Sequence, residues 1–481
     1  MERRNLTLLT DLYELTMMNG YFLKGKGNDV AVFDVFFRQN SLITYSLAAG
    51  LEQAVDYVLN LSFKEEEISY LRSLGIFDEG FLEYLKDLKF TGDIYSVPEG
   101  TMVFPGEPIF TVKAPIMQAQ LIETAVLNII NHQTLIASKA AKITHSANGD
   151  NVMEFGLRRA QGPDAGIYGS RAAIIGGCNS TSNVLAGQVF DIPVSGTHAH
   201  SWVMNFPSEY EAFKAYADVY PDAVLLLVDT YDTLRSGVPN AIKVFDEVVK
   251  SGHKPIGIRI DSGDLAYLTK RAREMLDNAG YTYAKICASG DLDEYSVQSL
   301  KLQGAKIDSW GIGTKLITSA DMPALGGVYK LAAVEENGEL IPKIKVSDNS
   351  AKITNPGFKT FYRIYDNATG KAEADLIMLR GEEIDTSKPL TVYHPVERWK
   401  KTTFTDYSVR ELPITVVKDG KLVYEMPKLK DIAAYAKTEM ESFWEEYKRI
   451  DQPHIYKVDL SDKLYELKSS MLDEIRKGTA H

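Results

Sequence analysis

The spacing of apolar residues near the N-terminus predicts a domain that mixes helices and strands. Apolar positions recur at helical spacing in "TDLYELTMMNGYF", where Asp11 and Glu14 have the spacing of a capping box, and "VAVFDVFFR" is typical of a strand. Helical patterns follow in "GLEQAVDYVLNL" and "EEISYLRSLGIFDEGFLEYLKDL". Short strands separated by Pro-Glu-Gly and Pro-Gly turns then occupy "GDIYSVPEGTMVFPGEPIFTVKAPI". We therefore predict an α+β domain over residues 1–130.

The pattern changes after a long helix predicted over "QLIETAVLNIINHQTLIASKAAKI". Strand-like runs now alternate with helical runs, and repeated strand-helix units form parallel sheets. No G-x-G-x-x-G follows the first of these strands, which favours a closed or irregular βα barrel over an open doubly wound sheet. We predict a barrel-like catalytic domain over residues 131–345. Its six strand candidates are "NVMEF", "QVFDIPVSG", "AVLLLVD", "PIGIRID", "AKICAS" and "KIDSWGIG".

The last part of the chain, residues 346–481, is richer in charge and has a less regular pattern. It includes "YHPVERWKKTTF" and ends in the helical stretch "LKDIAAYAKTEMESFWEEYKRI". We expect this region to pack back on the body of the molecule. The predicted fold class is α/β: an irregular βα barrel with an N-terminal α+β domain and an appended C-terminal region.

Composition narrows the classes of partner. The 481 residues are 45% hydrophobic and carry a formal net charge of -12. Nucleic acids and anionic membranes need a basic face, so neither is an expected partner. Cys178 and Cys287 are too few for a disulfide framework and lack C-x-x-C spacing. We find no targeting signal and no run long enough to span a membrane, and we expect a cytoplasmic protein.

Polar residues follow the predicted strands, at the end of a βα barrel where catalytic loops meet. We therefore expect one site assembled from several strands. Asp264 and Asp293 have an alternative role, because an aspartate at a strand end is also a common helix N-cap. The strand-end residues are Phe155, Arg158 and Arg159 after the first strand, His198 and His200 after the second, Asp229 and Asp232 after the third, Arg259, Asp261 and Asp264 after the fourth, and "ASGDLDE" and "GIGTKL" after the later ones.

These residue types suit a phosphorylated sugar and an anionic co-substrate. Glycines in "SWGIGT" would let a phosphate approach backbone N–H groups closely, although a plain turn also explains so short a loop. Carboxylates hold Mg²⁺ on a polyphosphate or bind sugar hydroxyls, and guanidinium groups present forked donors to a carboxylate or phosphate. The residues concerned are Gly311, Gly313 and Thr314 in the loop, the carboxylates Asp229, Asp261 and Asp291, and the cations Arg158 and Arg259.

The pair His198 and His200 has more than one possible use. In an extended segment, residues two apart point to the same face, so the pair could hold a metal, flank a substrate or include one bystander. A zinc site needs a third ligand, and the other histidines lie outside the strand-end set. A nucleophilic or acid-base histidine is therefore the better interpretation, and Asp229 is the preferred candidate to fix its tautomer.

Several motifs occur in an order that resembles the nicotinate phosphoribosyltransferases, a type II phosphoribosyltransferase family. They are "DLYELTM", "EFGLRRAQGPDAG", "GCNSTSNVLAG", "GTHAHSW", "IRIDSGDL" and "GIGTKL", between about residues 8 and 335. The resemblance implies that nicotinate and phosphoribosyl pyrophosphate give nicotinate mononucleotide and pyrophosphate, in the salvage route to NAD. It also implies coupled ATP hydrolysis, as in a ligase, and a requirement for Mg²⁺. The motifs leave the region beyond about residue 346 without an assigned role.

The resemblance implies a role for each matching residue. His200 would be phosphorylated by ATP, with Asp229 as its acidic partner and His198 as a bystander. Phe155 and Tyr13 would sandwich the pyridine ring, Tyr13 coming from the second subunit of a homodimer with shared active sites. The other matches are Arg158, Ser201 and Arg259 around the nicotinate carboxylate and the phosphoribosyl group, Asp261 near the ribose, Gly290, Asp291, Gly311, Gly313 and Thr314 in the sugar-phosphate cradle, and Asp261 and Asp291 as candidates for Mg²⁺.

Three alternatives remain open from the sequence. A nicotinamide phosphoribosyltransferase resembles this chain but places an aspartate for the amide where Ser182 stands, and loss of that carboxylate suits an anionic substrate. An unrelated barrel enzyme acting on a phosphosugar explains the glycine loop but not the ordered motifs. A non-catalytic binding protein would need none of the strand-end acids.

Overall fold

The computed structural model describes residues 4–38, 44–348 and 352–478, and the chain divides into two compact units. One unit contains Met1–Leu135 together with Ala324–His481, and the other contains Ile136–Pro323. The second unit is thus inserted into the sequence of the first. The three-part division expected from the sequence stays a prediction.

The elements follow one another along the chain in three stretches. Up to residue 147 they are α1 Leu12–Leu23, β1 Val30–Phe37, β2 Ser46–Leu47, α2 Leu51–Leu59, α3 Glu65–Ser73, α4 Glu79–Lys86, β3 Asp93–Ser96, β4 Met102–Val103, β5 Phe110–Pro115, α5 Ile116–Leu121 and α6 Glu123–Ala147. From 151 to 317 they are β6 Asn151–Glu154, α7 Pro163–Ile175, β7 Ser180–Thr181, α8 Val184–Phe190, α9 His200–Met204, α10 Glu209–Val219, β8 Leu225–Leu227, α11 Val238–Lys250, β9 Gly257–Ile260, α12 Leu265–Asn278, β10 Lys285–Gly290, α13 Glu294–Leu302, β11 Ser309–Ile312 and α14 Thr314–Ile317. The remainder are β12 Gly327–Glu336, β13 Glu339–Pro342, β14 Lys359–Asp366, β15 Ala372–Leu379, β16 Leu390–Tyr393, β17 Lys401–Phe404, β18 Tyr407–Glu411, β19 Ile414–Lys418, β20 Lys421–Leu422, α15 Leu429–Glu441, α16 Glu445–Lys448, β21 Lys457–Leu460 and α17 Asp462–Lys477.

The first unit contains two large sheets. One has seven strands in the order β13-β12-β1-β5-β3-β19-β20, and in it β1 pairs with β12 in antiparallel register from Ala31↔Val334 to Phe37↔Gly327. On the other side of the same sheet, β3 pairs with β19. The second sheet has six strands in the order β17-β16-β21-β15-β14-β18. Strands from both ends of the chain therefore complete one sheet.

The helices and strands predicted near the N-terminus are confirmed. Helix α1 begins after Asp11, whose backbone N–H donates to Glu14 Oε2 at 3.1 Å, as expected for a capping box. Strand β1 and the short strands β3, β4 and β5 lie where the pattern of apolar residues and turns predicts them. The predicted C-terminal helix is interrupted, because α15 ends at Glu441 and α16 begins at Glu445.

The second unit is built around a parallel sheet, which confirms the predicted α/β class. Its six strands have the order β7-β6-β11-β10-β9-β8, and their paired neighbours run parallel. Buried side chains of β8, β9 and β10 pack on helices α10, α11 and α12, through residues such as Leu226, Ile258, Phe213 and Phe245. Because the strands point the same way, their carboxyl ends share one edge, where polar loops collect.

The segment 194–198 contacts β7 and β8, the two edge strands of the six-stranded parallel sheet. Val194 forms an isolated parallel bridge with Thr181 in β7, and the Thr197 hydroxyl donates to the Leu225 carbonyl in β8 at 2.6 Å. The contacts at the β8 end use side chains in place of a continuous backbone ladder. A barrel closed through these side-chain contacts would be irregular. Closure of the six-stranded sheet into a barrel stays a prediction.

The strand predicted over "QVFDIPVSG" is wrong. Helix α8 continues to Phe190, and Asp191 ends it in the left-handed conformation with φ 55°. Pro193, which has no N–H for a ladder, lies just before the single bridge at Val194. The short parallel strand β7 takes the expected place beside β6. Two residues are too few to give a recognisable pattern.

In the part of the chain that the structure describes, no helix combines the length and the apolar character needed to cross a membrane.

Candidate active site

A cavity of about 430 Å³ lies at the carboxyl ends of the parallel strands, within the size range of a small-ligand site. All of its lining residues belong to the second unit. The cavity brings together most of the side chains that the sequence predicts for the site. These are Phe155, Arg158, Ser182, His200, Arg259, Asp261, Gly290, Asp291, Gly313 and Thr314.

Four predicted residues do not line this cavity. Tyr13 lies on α1 in the first unit with 45% of its surface exposed, and burial together with the charges of Glu123 and Glu14 raises the pKa of its hydroxyl. Ser201 is exposed on α9, whereas Asp229 and Gly311 contact residues that do line the cavity.

Asp261 is the centre of a hydrogen-bonded cluster. Its Oδ1 accepts a bond from Arg259 Nη2 at 2.8 Å and another from the Ser289 hydroxyl, while Arg259 Nε donates to Ser289 Oγ at 2.7 Å. Burial alone would raise the pKa of Asp261, but the bonds from Ser289 and Arg259 outweigh it and hold the pKa below its ordinary value. The carboxylate is therefore ionised and fixed. Its Oδ2 accepts no hydrogen bond from the described residues.

Asp229 is hydrogen-bonded to the backbone of Asp261 and to the next residue. Asp229 Oδ2 accepts bonds from the backbone N–H of Asp261 at 3.0 Å and from the Ser262 hydroxyl at 2.7 Å. Asp229 Oδ1 is buried without a hydrogen-bond partner in the described structure. The structure thus ties Asp229 to the loop after β9, and among the described contacts there is none between Asp229 and His200.

His200 begins helix α9 and is held by a residue that the sequence analysis missed. Its Nδ1 lies 3.1 Å from Thr230 Oγ1, and its Nε2 lies 4.0 Å from Asp261 Oδ2. Thr230 follows Asp229 directly in "LVDTYD", so its position at a strand end was the available signal. With Nδ1 engaged by Thr230, Nε2 is the nitrogen that faces the ionised carboxylate.

His198 has a structural role in this geometry. It is 7% exposed, its Nε2 accepts the backbone N–H of Leu227 at 3.2 Å, and its ring packs edge-on against Tyr216. Burial lowers the pKa of His198 to about 4, and the nearby charges of Arg259 and His200 act in the same direction. His198 is therefore neutral at physiological pH.

We expect His198 to make folding stability depend on pH. Because its folded pKa of about 4 lies below the ordinary 6.5, the unfolded chain binds the extra proton first, and stability falls as pH decreases from about 6.5 to about 4. The full loss corresponds to about 3 kcal/mol. Urea unfolding of the wild type and of His198→Gln at pH 7 and pH 4.5 measures it. His198→Gln should lose this part of the pH dependence of the free energy of unfolding, whereas His253→Gln, at the surface, should keep it. An equal change in that free energy between the two pH values in all three proteins would contradict the assignment.

Phe155 and two glycines shape the wall beside the Asp261 cluster. The Arg259 guanidinium lies 5.7 Å from the centre of the Phe155 ring. A Cβ at Gly311 would come within 2.6 Å of that ring, so a larger residue there would displace it. Gly290 has φ +120°, and a Cβ would approach the Asp261 carbonyl to 2.7 Å. Gly290 is therefore needed for the observed backbone, and Gly311 for the observed position of the Phe155 ring.

The cavity also offers groups for an anion. Arg158 and Arg159 line it and are exposed, and the described structure gives Arg158 no ion-pair partner. Gly313 and Thr314 also line it, at the start of the short helix α14. The site thus combines an aromatic face, free guanidinium groups and a fixed carboxylate.

The alternative role of two aspartates is confirmed. Asp264 caps α12 by accepting the Tyr267 N–H, and Asp293 caps α13 by accepting the Ser296 N–H. Among the described residues, no three His, Cys, Asp or Glu side chains lie close enough together to hold a metal ion.

Comparisons with known proteins point to the same family over most of the chain. Family models match residues 8–131 (nicotinate phosphoribosyltransferase N-terminal domain), 151–375 (nicotinate phosphoribosyltransferase family) and 358–468 (nicotinate phosphoribosyltransferase C-terminal domain). The nicotinate phosphoribosyltransferase of Bacillus subtilis is 48% identical over 473 residues, which cover 98% of this chain and 96% of that protein. The human one is 32% identical over 96% of each chain. The crystal structure of human nicotinic acid phosphoribosyltransferase matches with a TM-score of 0.85 at 30% identity, over 96% of this chain and 99% of that one. The chain therefore belongs to the nicotinate phosphoribosyltransferase family.

Proposed function

We propose that this protein is a nicotinate phosphoribosyltransferase, which transfers the phosphoribosyl group of phosphoribosyl pyrophosphate to nicotinate and releases pyrophosphate. The observation that carries the proposal is the shared cavity, where Phe155 and the unpaired Arg158 lie with the fixed carboxylate of Asp261. The relatives compared above carry this activity in their names. The product, nicotinate mononucleotide, places the reaction in NAD biosynthesis.

The pyridine substrate would use the aromatic side of the cavity. Phe155 offers a ring face for stacking, and Arg158 offers a charge-assisted, forked contact to the nicotinate carboxylate. Ser182 lines the same cavity and presents no negative charge to that carboxylate. This inventory favours an acid over an amide as substrate.

The phosphoribosyl group would use the Asp261 side. The pyridine nitrogen attacks the anomeric carbon, and the electron pair of the breaking C–O bond leaves with pyrophosphate. Positive charge builds on the ribose during this exchange, and an ionised carboxylate held in advance stabilises it. Arg259 and Ser289 fix Asp261 Oδ1, so Oδ2 remains available to the sugar.

The acidic side chains suit Mg²⁺ on the diphosphate. Asp261 and Asp291 both line the cavity, and both supply the carboxylate oxygens that this ion accepts. Mg²⁺ usually takes its other ligands from phosphates and water, so one or two protein carboxylates are enough for such a site. The ion would neutralise the charge of the leaving pyrophosphate.

We further propose that ATP is hydrolysed in a coupled reaction and that His200 is the phosphate acceptor. His200 lines the cavity, and its Nε2 lies opposite Asp261 while Thr230 engages Nδ1. The Nε2 lone pair would attack the γ-phosphorus and ADP would leave; water would later release the phosphate. The role of Asp229 is then indirect, through the backbone of Asp261.

One assay tests the proposed function. Purified protein is given phosphoribosyl pyrophosphate and Mg²⁺ with nicotinate or nicotinamide, with and without ATP, and mononucleotide is quantified. We expect kcat/KM for nicotinate to exceed that for nicotinamide by about ten- to a hundredfold, because the contact of Arg158 with a charged group contributes roughly 1.5–3 kcal/mol. Equal values for the two pyridines would overturn the assignment.

Ser182 provides the matched variant for this specificity. Ser182→Asp places a carboxylate in the cavity wall beside the nicotinate carboxylate, and like charges repel. Nicotinate use should fall while nicotinamide use is kept or improved. Ser182→Asn, similar in size but uncharged, should have a much smaller effect, and an equal loss in both variants would indicate crowding alone.

We also propose a homodimer in which Tyr13 completes the site of the neighbouring subunit. Tyr13 is half exposed on α1, outside the cavity that the second unit forms. Mixed dimers of Tyr13→Ala and Asp261→Ala should regain activity, because one of the two hybrid sites would carry neither lesion. Native mass spectrometry confirms mixing, and mixed dimers without regained activity would refute a shared site.

A further inference from the structure

Glu154, the last residue of β6, carries a buried carboxylate next to the site but outside it. Side chains alternate between the two faces of a sheet along a strand, and Met153 and Phe155 both line a second cavity on one face of the parallel sheet. Glu154 therefore points to the opposite face, where its exposed fraction is 0%. It does not line the cavity at the strand ends.

Three donors from three elements converge on this carboxylate. Oε1 accepts the backbone N–H of Gly156, and Oε2 accepts the hydroxyls of Ser170 on α7 at 2.8 Å and Thr181 on β7 at 2.6 Å. All three donors are neutral, and the described structure contains no ion pair for Glu154. A buried carboxylate without a cation is costly, and an apolar residue would fill the space at lower cost. Packing alone does not account for this residue.

The groups that Glu154 holds carry two walls of the cavity. Gly156 lies between Phe155 and the turn Leu157–Arg159, which includes Arg158. Thr181 precedes Ser182, whose backbone N–H donates to the Glu154 carbonyl at 2.9 Å. Phe155, Arg158 and Ser182 are the three residues assigned above to the pyridine. One carboxylate thus connects both sides of the proposed pyridine pocket.

Gly156, two residues after Glu154, has no room for a side chain. A Cβ on Gly156 would lie 2.5 Å from Ile317 Cβ and 2.9 Å from Glu154 Oε1. The space beside Gly156 is therefore filled by Ile317 and by the carboxylate that accepts its N–H. Because Gly156 follows Phe155 directly, we expect a shift of Glu154 to alter the position of Phe155.

We propose that Glu154 is a positioning residue that sets the spacing between the Phe155–Arg158 wall and the Ser182 wall, and so determines pyridine affinity and selectivity. The proposal rests on the proposed function. Glu154 acts through Gly156 and Thr181 and makes no contact with the substrate.

The test removes the hydroxyl that donates to Glu154, and that also accepts the Asn183 N–H at 3.0 Å, while keeping the shape of the side chain. Thr181→Val should raise KM for nicotinate about tenfold and narrow the preference over nicotinamide, with KM for phosphoribosyl pyrophosphate changed less than twofold. Thr181→Ser restores the hydroxyl and should restore both values. Thr269→Val is the matched control, because Thr269 is also 0% exposed in the same unit and its hydroxyl also donates, to the Leu265 carbonyl, and accepts a backbone N–H, from Lys306. Neither of these partners lines the cavity.

A second variant probes the charge itself. Glu154→Gln keeps the size of the side chain, and the Ser170 and Thr181 hydroxyls can turn to accept from its amide, so the fold should survive. We expect the same increase in KM for nicotinate with little change in Tm. If Thr181→Val and Glu154→Gln lower Tm as Thr269→Val does but leave KM and selectivity at wild-type values, Glu154 is structural only. If the wild type itself makes no nicotinate mononucleotide, the proposed function is wrong and this proposal falls with it.

Discussion

Asp261→Asn is expected to lower kcat for phosphoribosyl transfer by about a hundredfold or more. The substitution keeps the shape of the side chain but removes the charge that balances the developing cation on the ribose, and losses of this size are typical when a preorganised electrostatic group is removed. It also leaves Arg259 without its ionic partner at 2.8 Å. Steady-state kinetics with nicotinate and phosphoribosyl pyrophosphate, at saturating Mg²⁺, measure the effect.

Asp264→Asn is the control for that experiment. Asp264 lies three residues away in the same loop, and its side chain caps α12 through the Tyr267 N–H. Asparagine caps a helix as well as aspartate does, so activity and Tm should remain near wild type. Wild-type kcat in the Asp261 variant would remove Asp261 from the chemistry, and equal losses at both positions would attribute the effect to the loop.

His200→Ala is expected to reduce ATP hydrolysis and protein labelling by ATP to background, while a slow phosphoribosyl transfer remains. The Asp261 cluster and the glycine turns, to which we assign the transfer, make their hydrogen bonds and close contacts without the imidazole. Under the proposed coupling, ATP should tighten the binding of phosphoribosyl pyrophosphate to the wild type, and the variant should lose this effect, because coupling between two ligands requires the group that links them. The readout is acid-labile, base-stable phosphate after incubation with γ-labelled ATP.

His198→Gln separates the two histidines. His198 is neutral, buried and bonded to the Leu227 N–H, so its replacement should alter stability and leave labelling intact. Full labelling in the His200 variant, or loss of labelling in the His198 variant alone, would move the phosphate acceptor away from His200. Thr230→Val should lower the rate of labelling without abolishing it, because Thr230 orients the ring and is not the acceptor.

The sequence predicts the second unit well where strand-like and helical runs alternate regularly along the chain. The β8, β9, β10 and β11 strands are apolar runs followed by polar ends, and parallel strands bring those ends together, so ten of the expected residues line one cavity. It fails where contacts between distant segments decide the structure. Residues 188–196 have apolar character, but α8 continues into them and Pro193 prevents a ladder.

The finer roles in the site are less accessible to sequence. Asp229 and Thr230 are adjacent, yet Thr230 contacts His200 whereas Asp229 contacts the backbone of Asp261. Ser289 and Glu154 matter through partners that are far away in the chain, 28 residues to Asp261 and 27 residues to Thr181. No local pattern reports such pairs.

Because β1 pairs with β12, one edge of β1 lacks its partner strand during most of the synthesis of the chain. Synthesis runs from the N-terminus, so β1 is made about 300 residues before the strand that covers its edge. During that interval the intervening unit, which is contiguous in sequence, can complete its own sheet, whereas β1 presents a row of open backbone groups. A chain that stops near Pro323 would keep this edge exposed permanently, and nascent or truncated molecules are therefore the species most in need of a chaperone.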